Sequence, residues 1–311
     1  MRTSSAGWFL LLLTAAAVAV PCGAAPPVPA APAATVSVTQ LRLAPAPPAR
    51  VPAARAQVAI IIDDLGEQHL AGLRAIELPG PVALAFLPGG PFTKDHAGLA
   101  HRRGKEVLLH LPLMPGGSAR AHPASLRPES GREQLRAQFA AALDSVPYAA
   151  GVNNHQGSLM TQLPEPMDAL MREVALRPGL YFVDSRTSAA SVAYATARRY
   201  GVPATERNVF LDTFRGEAAV RAALEELVIK ALHHQRALAI GHPYPETLKV
   251  LAEELPRLSR YGIALVAPSE LIARQSGLGG PYRRLALSPA LTLSTSTTAR
   301  AAPAPTSTAA R

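Results

Sequence analysis

Short apolar runs alternate along the chain with longer amphipathic stretches. Within each run the apolar residues are continuous, which is typical of strands buried on both faces of a parallel sheet or barrel. The runs that predict strands are 58–62, 82–86, 106–109, 149–152, 180–183, 237–240 and 263–266, with a weaker one at 209–211.

Between these runs, apolar residues recur every three to four positions, which predicts amphipathic helices. Strands and helices therefore alternate as βα units rather than as an all-α or all-β domain. The stretch 57–272, about 215 residues, has a suitable size for one α/β barrel. The predicted helices are 67–78, 93–103, 131–144, 165–176, 215–234 and 245–260.

Polar residues that can bind metal or transfer protons follow five of the predicted strands. In a closed parallel barrel the carboxyl ends of the strands meet at one mouth, where active sites of such folds lie. We therefore expect these residues to lie near one another. They are Asp63-Asp64, His110, Asn153-Asn154-His155, Asp184-Ser185-Arg186 and His242.

The Asp63-Asp64 pair is costly to place at the end of an apolar strand unless a metal, hydrogen bonds or basic partners compensate the charge. Because adjacent side chains point in different directions, one carboxylate could bind a cation while the other serves as a base. A turn or a helix N-cap would also suit the pair, because Gly66 and Glu67 follow.

The histidines differ in their sequence context. His110 lies within an apolar run, as a buried core histidine also would, whereas His155 has the Asn and Gly neighbours of a binding loop. His242 lies between Gly241 and Pro243, and the restricted backbone suits either a fixed acid–base group or a rigid turn. We expect most of the others to be surface residues without a role: His69, His96, His101, His122, His233 and His234.

The positive charge of the chain lies in its flanks. The formal net charge is +9, yet residues 57–270 carry 22 Lys and Arg and all 22 Asp and Glu. The predicted domain is therefore neutral, and we expect no nucleic-acid partner. The basic flanks could contact an anionic envelope surface.

Both ends differ in composition from the predicted domain. Residues 1–24 have a charged start, an apolar segment and small residues at a cleavage site, which predicts a signal peptide, export to the periplasm and no transmembrane span after cleavage. An uncleaved anchor is the alternative. Cleavage would remove Cys22, the one cysteine. The Ala/Pro-rich stretch 25–56 predicts a linker, and the Ala/Ser/Thr/Pro-rich stretch 273–311 predicts a disordered tail.

Several blocks of sequence resemble one family. Residues 60–66, Ile-Ile-Ile-Asp-Asp-Leu-Gly, resemble the motif that opens the NodB-type polysaccharide deacetylase domain, within the carbohydrate esterase superfamily. Residues 104–110 resemble its second motif, in which a strand leads into a metal-binding histidine. Residues 153–158, 182–187 and 240–243 are similar to blocks of the divergent, YibQ-type branch. The resemblance implies an α/β fold, a NodB-like distorted (β/α) barrel with about seven parallel strands.

The resemblance also implies an activity, the metal-dependent removal of acetyl groups from an acetylated polysaccharide or peptidoglycan-derived glycan. Asp64 and His110 would bind a divalent metal, for which zinc is the favoured ion. Asp63 would be the general base, and His242 would be the general acid.

One position departs from the family pattern. The second motif ordinarily has another histidine four residues after the first, and Met114 occupies that position here. Because a thioether is a poor partner for zinc among oxygen and nitrogen ligands, we predict that His155 supplies the third ligand. Three further residues, Asn154, Asp184 and Arg186, are expected to orient Asp63 or to bind the sugar.

Two other functions stay open at this stage. The first is a catalytically degenerate periplasmic protein that binds glycan or a cell-wall factor, which the Met114 departure favours. The second is a metal-dependent hydrolase acting on a peptide or another ester, because fold and metal do not select the acyl group.

Overall fold

The computed structural model describes residues 54–275. The predicted signal peptide at 1–24, and nearly all of the predicted linker and tail, lie outside the described residues and stay predictions. Within the described range, no helix combines the length and apolar character needed to cross a bilayer.

The described residues form one sheet in which every strand pairing is parallel. The strand order is β6-β5-β4-β3-β2-β1-β8-β7, and β9 pairs with the start of β1. The strands are β1 (Ala56–Leu65), β2 (Ala83–Phe86), β3 (Val107–Leu113), β4 (Ala149–Gln156), β5 (Tyr181–Asp184), β6 (Ala204–Glu206), β7 (Val209–Phe210), β8 (Arg236–Gly241) and β9 (Ile263–Leu265).

Eight α-helices are described, and they connect the strands. They are α1 (His69–Ile76), α2 (Thr93–Arg102), α3 (Arg132–Ser145), α4 (Pro164–Ala175), α5 (Ala193–Arg199), α6 (Glu217–His234), α7 (Pro245–Glu254) and α8 (Pro268–Gln275). Short 3₁₀ helices occupy Met160–Gln162 and Leu255–Tyr261.

The parallel sheet confirms the predicted distorted (β/α) barrel. The described residues hold nine strands rather than about seven, because β6 and β7 are too short to give a clear sequence pattern. Helix α5 was likewise not predicted, and its seven residues include two arginines. Helix α8 was not predicted either, and it continues to Gln275, past the predicted domain boundary at residue 272.

Two apolar layers line the two faces of the sheet. Ala59 and Ile61 of β1 belong to the cluster inside the barrel, whereas Ile60 and Ile62 pack in the cluster between sheet and helices. Each fully buried aliphatic side chain of this size contributes roughly 1.5–3 kcal/mol. This alternation along β1 fixes which residues face the interior, and the next interior position is Asp63.

Candidate active site

In four strands, the last interior-facing residues are polar and lie at the mouth of the barrel. On β3 the interior residue Leu108 is followed two positions later by His110, and on β8 Ile240 is followed by His242. The side-chain period of two along a strand keeps these residues on the same face. On β4 the same rule brings Asn153 and His155 to the mouth, opposite Asp63.

Asp64 reaches the mouth by a different route. Continued alternation would turn it outward, but its backbone adopts φ +56° where the pairing of β1 with β2 shifts register. A positive φ is uncommon for a residue with a Cβ, and such strain concentrates at functional sites. Gly66 follows with φ +107°, and a Cβ there would lie 2.1 Å from the Thr93 hydroxyl oxygen. This tight turn presents the Asp64 carboxylate beside Asp63.

The structure brings Asp64, His110 and His155 together. Oδ1 of Asp64 lies 3.1 Å from Nε2 of His110 and 2.9 Å from Nδ1 of His155, and the two imidazole nitrogens lie 3.2 Å apart. These three atoms form a compact triangle of metal-binding groups. His110 is buried, whereas Asp64 and His155 are half-buried and face the mouth.

The donor set fits a divalent metal. Bonds of 2.0–2.1 Å in a tetrahedral zinc site place neighbouring ligand atoms about 3.3 Å apart, close to the spacing found here. Oδ1 of Asp64 is buried and makes no hydrogen bond of acceptable geometry, although two imidazole nitrogens are near it. Atoms with lone pairs directed at one another need a cation between them. Asp64, His110 and His155 could therefore hold a metal.

Asn153 fixes two of the candidate site residues. Its Oδ1 lies 3.1 Å from Nδ1 of His110, and its Nδ2 donates to Oδ1 of Asp63 at 2.8 Å. An amide oxygen can only accept, so Nδ1 of His110 carries the proton and Nε2 presents its lone pair to Asp64 and His155. Such an outer hydrogen bond is the usual way in which a metal-binding histidine is oriented.

The two carboxylates have opposite pKa shifts. Burial raises the pKa of Asp63, and the nearby charges of His110 and His242 only partly oppose this rise. Burial also acts to raise the pKa of Asp64, but His110 and His155, when protonated, outweigh burial through hydrogen bonding and positive charge and hold that pKa far below the ordinary value. Asp64 is therefore the ionised, ligand-type carboxylate, and Asp63 is the more basic one.

His242 is held by a residue that the sequence analysis did not identify, Asp212. The His242 backbone N–H donates to Oδ2 of Asp212 at 2.6 Å, and Nδ1 of His242 lies 2.9 Å from Oδ1. Asp212 is buried and also accepts from the Thr247 hydroxyl at 3.0 Å. Nε2 of His242 faces the mouth, 3.7 Å from Oδ2 of Asp64.

The surroundings of His242 favour its protonated form. Burial lowers its pKa, but the hydrogen bond to Asp212 and the charges of Asp63, Asp212 and Asp64 outweigh burial and raise it. Two aromatic rings pack beside the imidazole, Phe210 with its centroid at 5.3 Å and Tyr244 at 5.5 Å. His242 therefore has a fixed orientation and tautomer, as a general acid requires.

Asn154, Asp184 and Arg186 lie behind the candidate site. Oδ1 of Asn154 accepts the Ser185 N–H at 2.8 Å, and Asp184 accepts the Arg186 N–H at 2.8 Å. Among residues 54–275, none of the three hydrogen-bonds to Asp63 or to the metal-binding triangle. The residue that orients Asp63 is Asn153 rather than Asn154, because side chains of adjacent strand residues point to opposite faces.

Sequence patterns could have indicated some of the missed residues. Asp212 follows the weak predicted strand at 209–211 in the same way that Asp63 follows the predicted strand at 58–62. His96 is buried rather than exposed, because it packs below Gly72 of α1 with its ring stacked on Phe92. The His122 ring is half-buried, with its centroid 5.8 Å from that of His155.

Met114 has apolar packing and lies beside Arg127, whose Nη1 is 4.0 Å from the Met114 sulfur. It follows the last residue of β3 and packs against the apolar cluster between sheet and helices. Its backbone pairs with Leu126 and Met160. In this chain, the residue at the motif's second histidine position, Met114, therefore has a packing role. The third potential metal ligand is His155, on the neighbouring strand β4.

Known proteins are similar to this chain in sequence. The family model described as divergent polysaccharide deacetylase matches residues 60–272. The uncharacterized protein YibQ of Escherichia coli (strain K12) is 35% identical over 221 residues, 71% of this chain and 69% of that protein. An uncharacterized protein of Haemophilus influenzae is 32% identical over 205 residues, 66% of this chain and 73% of that protein.

A solved structure is also similar, that of an uncharacterized protein from Agrobacterium tumefaciens C58. It is 26% identical, with a TM-score of 0.68, and the match covers 71% of this chain and 90% of that one.

Proposed function

Because this chain belongs to the divergent polysaccharide deacetylase family, we propose that it hydrolyses acetyl groups on an envelope or extracellular polysaccharide with the help of a divalent metal, zinc being favoured. The observation that carries the proposal is the triangle of Asp64, His110 and His155, with Asp63 and His242 beside it. The arrangement places metal-binding groups, a base and an acid within one mouth.

Asp64, His110 and His155 would hold the metal. When bound, it would polarise the acetyl carbonyl and make a water molecule more acidic. The ionised state of Asp64 and the tautomer of His110, set by Asn153, prepare both groups for this role.

Asp63 would take the proton from the attacking water. Its Oδ1 is held by Asn153 at 2.8 Å, which leaves Oδ2 to accept a proton. The raised pKa makes Asp63 a stronger base than an exposed aspartate, and catalytic efficiency improves as the pKa approaches the working pH.

His242 would protonate the leaving group. As the carbon–nitrogen or carbon–oxygen bond of the acetyl group breaks, Nε2 of His242 would give its proton to the departing amine or alkoxide. Acetate and the free amine or hydroxyl of the sugar are then the products. Asp212 would stabilise the protonated imidazole through Nδ1.

The family supports the proposed substrate, and the residue pattern of the first 24 positions supports the proposed location. The proposed substrate is an acetylated polysaccharide or a peptidoglycan-derived glycan. The proposed site of action is the periplasm, because residues 1–24 have the pattern of a signal peptide. The triangle of three potential ligands supports catalysis over the alternative of a degenerate glycan-binding protein. Met114 replaces the usual second histidine of the motif, but His155 would supply the third ligand.

The experiment is to measure acetate release from acetylated glucosamine oligomers, peptidoglycan fragments and O-acetylated xylan. Protein loaded with zinc, cobalt or nickel should release acetate from at least one of them. Asp63→Asn and His242→Ala should each lower the rate by about a hundredfold or more, the usual scale for general acid–base groups. The exposed Asp144→Asn and His233→Ala are matched controls and should leave the rate unchanged. Absence of acetate release from every substrate would favour the glycan-binding alternative.

A further inference from the structure

A cavity of about 490 Å³ lies at the gap between the two ends of the curled sheet. Strands β6 and β7 are consecutive in sequence but occupy the two ends of the sheet, so no strand from residues 54–275 lies between β6 and the start of β8. Thr205 of β6 and Ala237 of β8 line the cavity from the two sides, and residues of α6 and α8 line it further. We call this space the seam cavity, and none of the candidate metal or acid–base residues lines it.

The seam cavity is strongly basic. Arg186, Arg207, Lys230 and Arg236 line it, together with the single carboxylate Glu206. Glu206 pairs with Arg186 at 3.5 Å, and Lys230 pairs with Glu226 at 2.8 Å. Among residues 54–275, neither Arg207 nor Arg236 has a carboxylate oxygen within 4 Å.

Arg207 is held in place without a counter-ion. Its Nε donates to the carbonyl oxygen of Ser185 at 2.7 Å, and Nη2 donates to that of Arg186 at 2.8 Å. The side chain is half-buried, and burial lowers its pKa. A partly buried guanidinium that is fixed by carbonyl groups and lacks a carboxylate favours an anion beside it.

Neutral polar side chains also line the cavity. They are Thr205, Asn208 and Tyr194, whose hydroxyl accepts from Nε2 of Gln275 at 3.0 Å. These groups can exchange hydrogen bonds with the hydroxyl groups of a ligand. The volume is within the usual range for small-molecule sites, about 300–1,000 Å³.

We propose that the seam cavity binds a hydroxylated organic anion, a monosaccharide that carries a phosphate or carboxylate group. Arg207 and Arg236 would bind the charged group, and Tyr194, Thr205 and Asn208 would hydrogen-bond to the sugar hydroxyls. This site is separate from the mouth where acetyl hydrolysis is proposed, so its occupancy does not depend on the metal.

The experiment is isothermal titration of the protein with glucose 6-phosphate, glucuronate, inorganic phosphate and uncharged glucose. The two sugar anions distinguish a phosphorylated from a carboxylated ligand. At least one should bind with a millimolar or lower Kd, more tightly than phosphate or glucose. Binding should persist in His155→Ala, which removes a proposed metal ligand, so that failure of this proposal is distinct from failure of the proposed activity.

The variants are chosen to leave the mouth intact. Arg207 is not used, because its guanidinium lies 4.6 Å from the Phe210 ring, which stacks on His242. Arg236→Ala and Lys230→Ala should together weaken binding by about tenfold or more, because the first removes a charge-assisted hydrogen bond to the ligand and the second removes a positive charge from the cavity lining. The exposed Arg260→Ala is the control and should not change it. Equal affinity for inorganic phosphate, no anion binding, or binding unaffected by the double variant would overturn the proposal.

Discussion

Nδ1 of His155 lies 2.9 Å from Oδ1 of Asp64, although their strands, β4 and β1, are separated by β3 and β2 in the sheet. In a flat sheet, strands three positions apart would be about 14 Å from one another. The curl of the barrel brings the ends of these strands across the mouth to contact distance. The metal-binding triangle is therefore a product of sheet curvature.

We predict that the protein binds about one divalent ion per chain and that Asp64→Ala or His155→Ala removes it. Loss of one of three protein ligands sharply weakens a site of this type. Elemental analysis after dialysis measures the metal content. His233→Ala, an exposed histidine on α6, should retain the ion, and unchanged metal content in both ligand variants would show that the ion binds elsewhere.

Met114→His should not restore metal binding to His155→Ala. Met114 packs against the apolar cluster between sheet and helices, and its sulfur lies 4.0 Å from Nη1 of Arg127, so we expect a histidine there not to reach Asp64 and His110. It should instead lower the melting temperature, because a polar ring replaces an apolar side chain at a packed position. Recovery of metal in the double variant would contradict this placement of residue 114.

Asn153→Ala should lower both metal affinity and kcat by about 10–100-fold, the usual effect of removing a partner that orients a metal ligand. The substitution removes both the hydrogen bond that orients His110 and the one that orients Asp63. Asn154→Ala is the matched comparison, because it removes the acceptor for the Ser185 N–H but no contact with Asp63. It should lower thermal stability while leaving metal affinity unchanged, and equal loss of metal in the two variants would be inconsistent with the assigned contacts.

The rate should depend on pH as a bell. Activity should rise as Asp63 loses its proton and fall as His242 loses its proton, because the base must be ionised and the acid protonated. In Asp63→Asn the acid limb should disappear, while metal content stays unchanged. A persistent acid limb in that variant would assign the base to another residue.

Asp212→Asn should move the alkaline limb of this bell to lower pH. The hydrogen bond and charge of Asp212 raise the pKa of His242, so their loss lowers that pKa and the acid is deprotonated earlier as pH rises. The rate at neutral pH should fall with it. A lower rate with an unshifted alkaline limb would mean that Asp212 acts through packing alone.

Glu106→Gln should stabilise the protein at neutral pH. Burial raises the pKa of Glu106 more than its hydrogen bonds, including the 3.0 Å bond from the Ser269 hydroxyl, lower it. Between the ordinary pKa of glutamate and this raised pKa, the folded state binds more protons than the unfolded state. Wild-type stability therefore falls as pH rises through that interval, with a limiting slope of about 1.4 kcal/mol for each pH unit.

The free energy of unfolding of Glu106→Gln, measured by urea titration across pH, should lack this fall. The two proteins should agree in stability below the ordinary pKa of glutamate and diverge above it. Glu225→Gln, an exposed change on α6, is the control. A wild type that becomes more stable than Glu106→Gln as pH rises would contradict the raised pKa of Glu106.

The order of strands and helices could be predicted from sequence because apolar runs and helical spacing are local signals. So could the position of polar residues at the ends of β1, β3, β4 and β8, since the pattern places them just after buried strands. Strand β6 and helix α5 were not predicted, because three and seven residues are too few for a period to emerge.

The sequence by itself determined the alternation of βα units and the residue types available at the strand ends. Only the tertiary structure decided which of them meet. Asn153 rather than Asn154 contacts Asp63, and Asp212, which lies two residues after the short edge strand β7, holds His242. These choices depend on strand register, on the positive φ of Asp64 and on sheet curl. Each is set by long-range packing, which local patterns of residues do not encode.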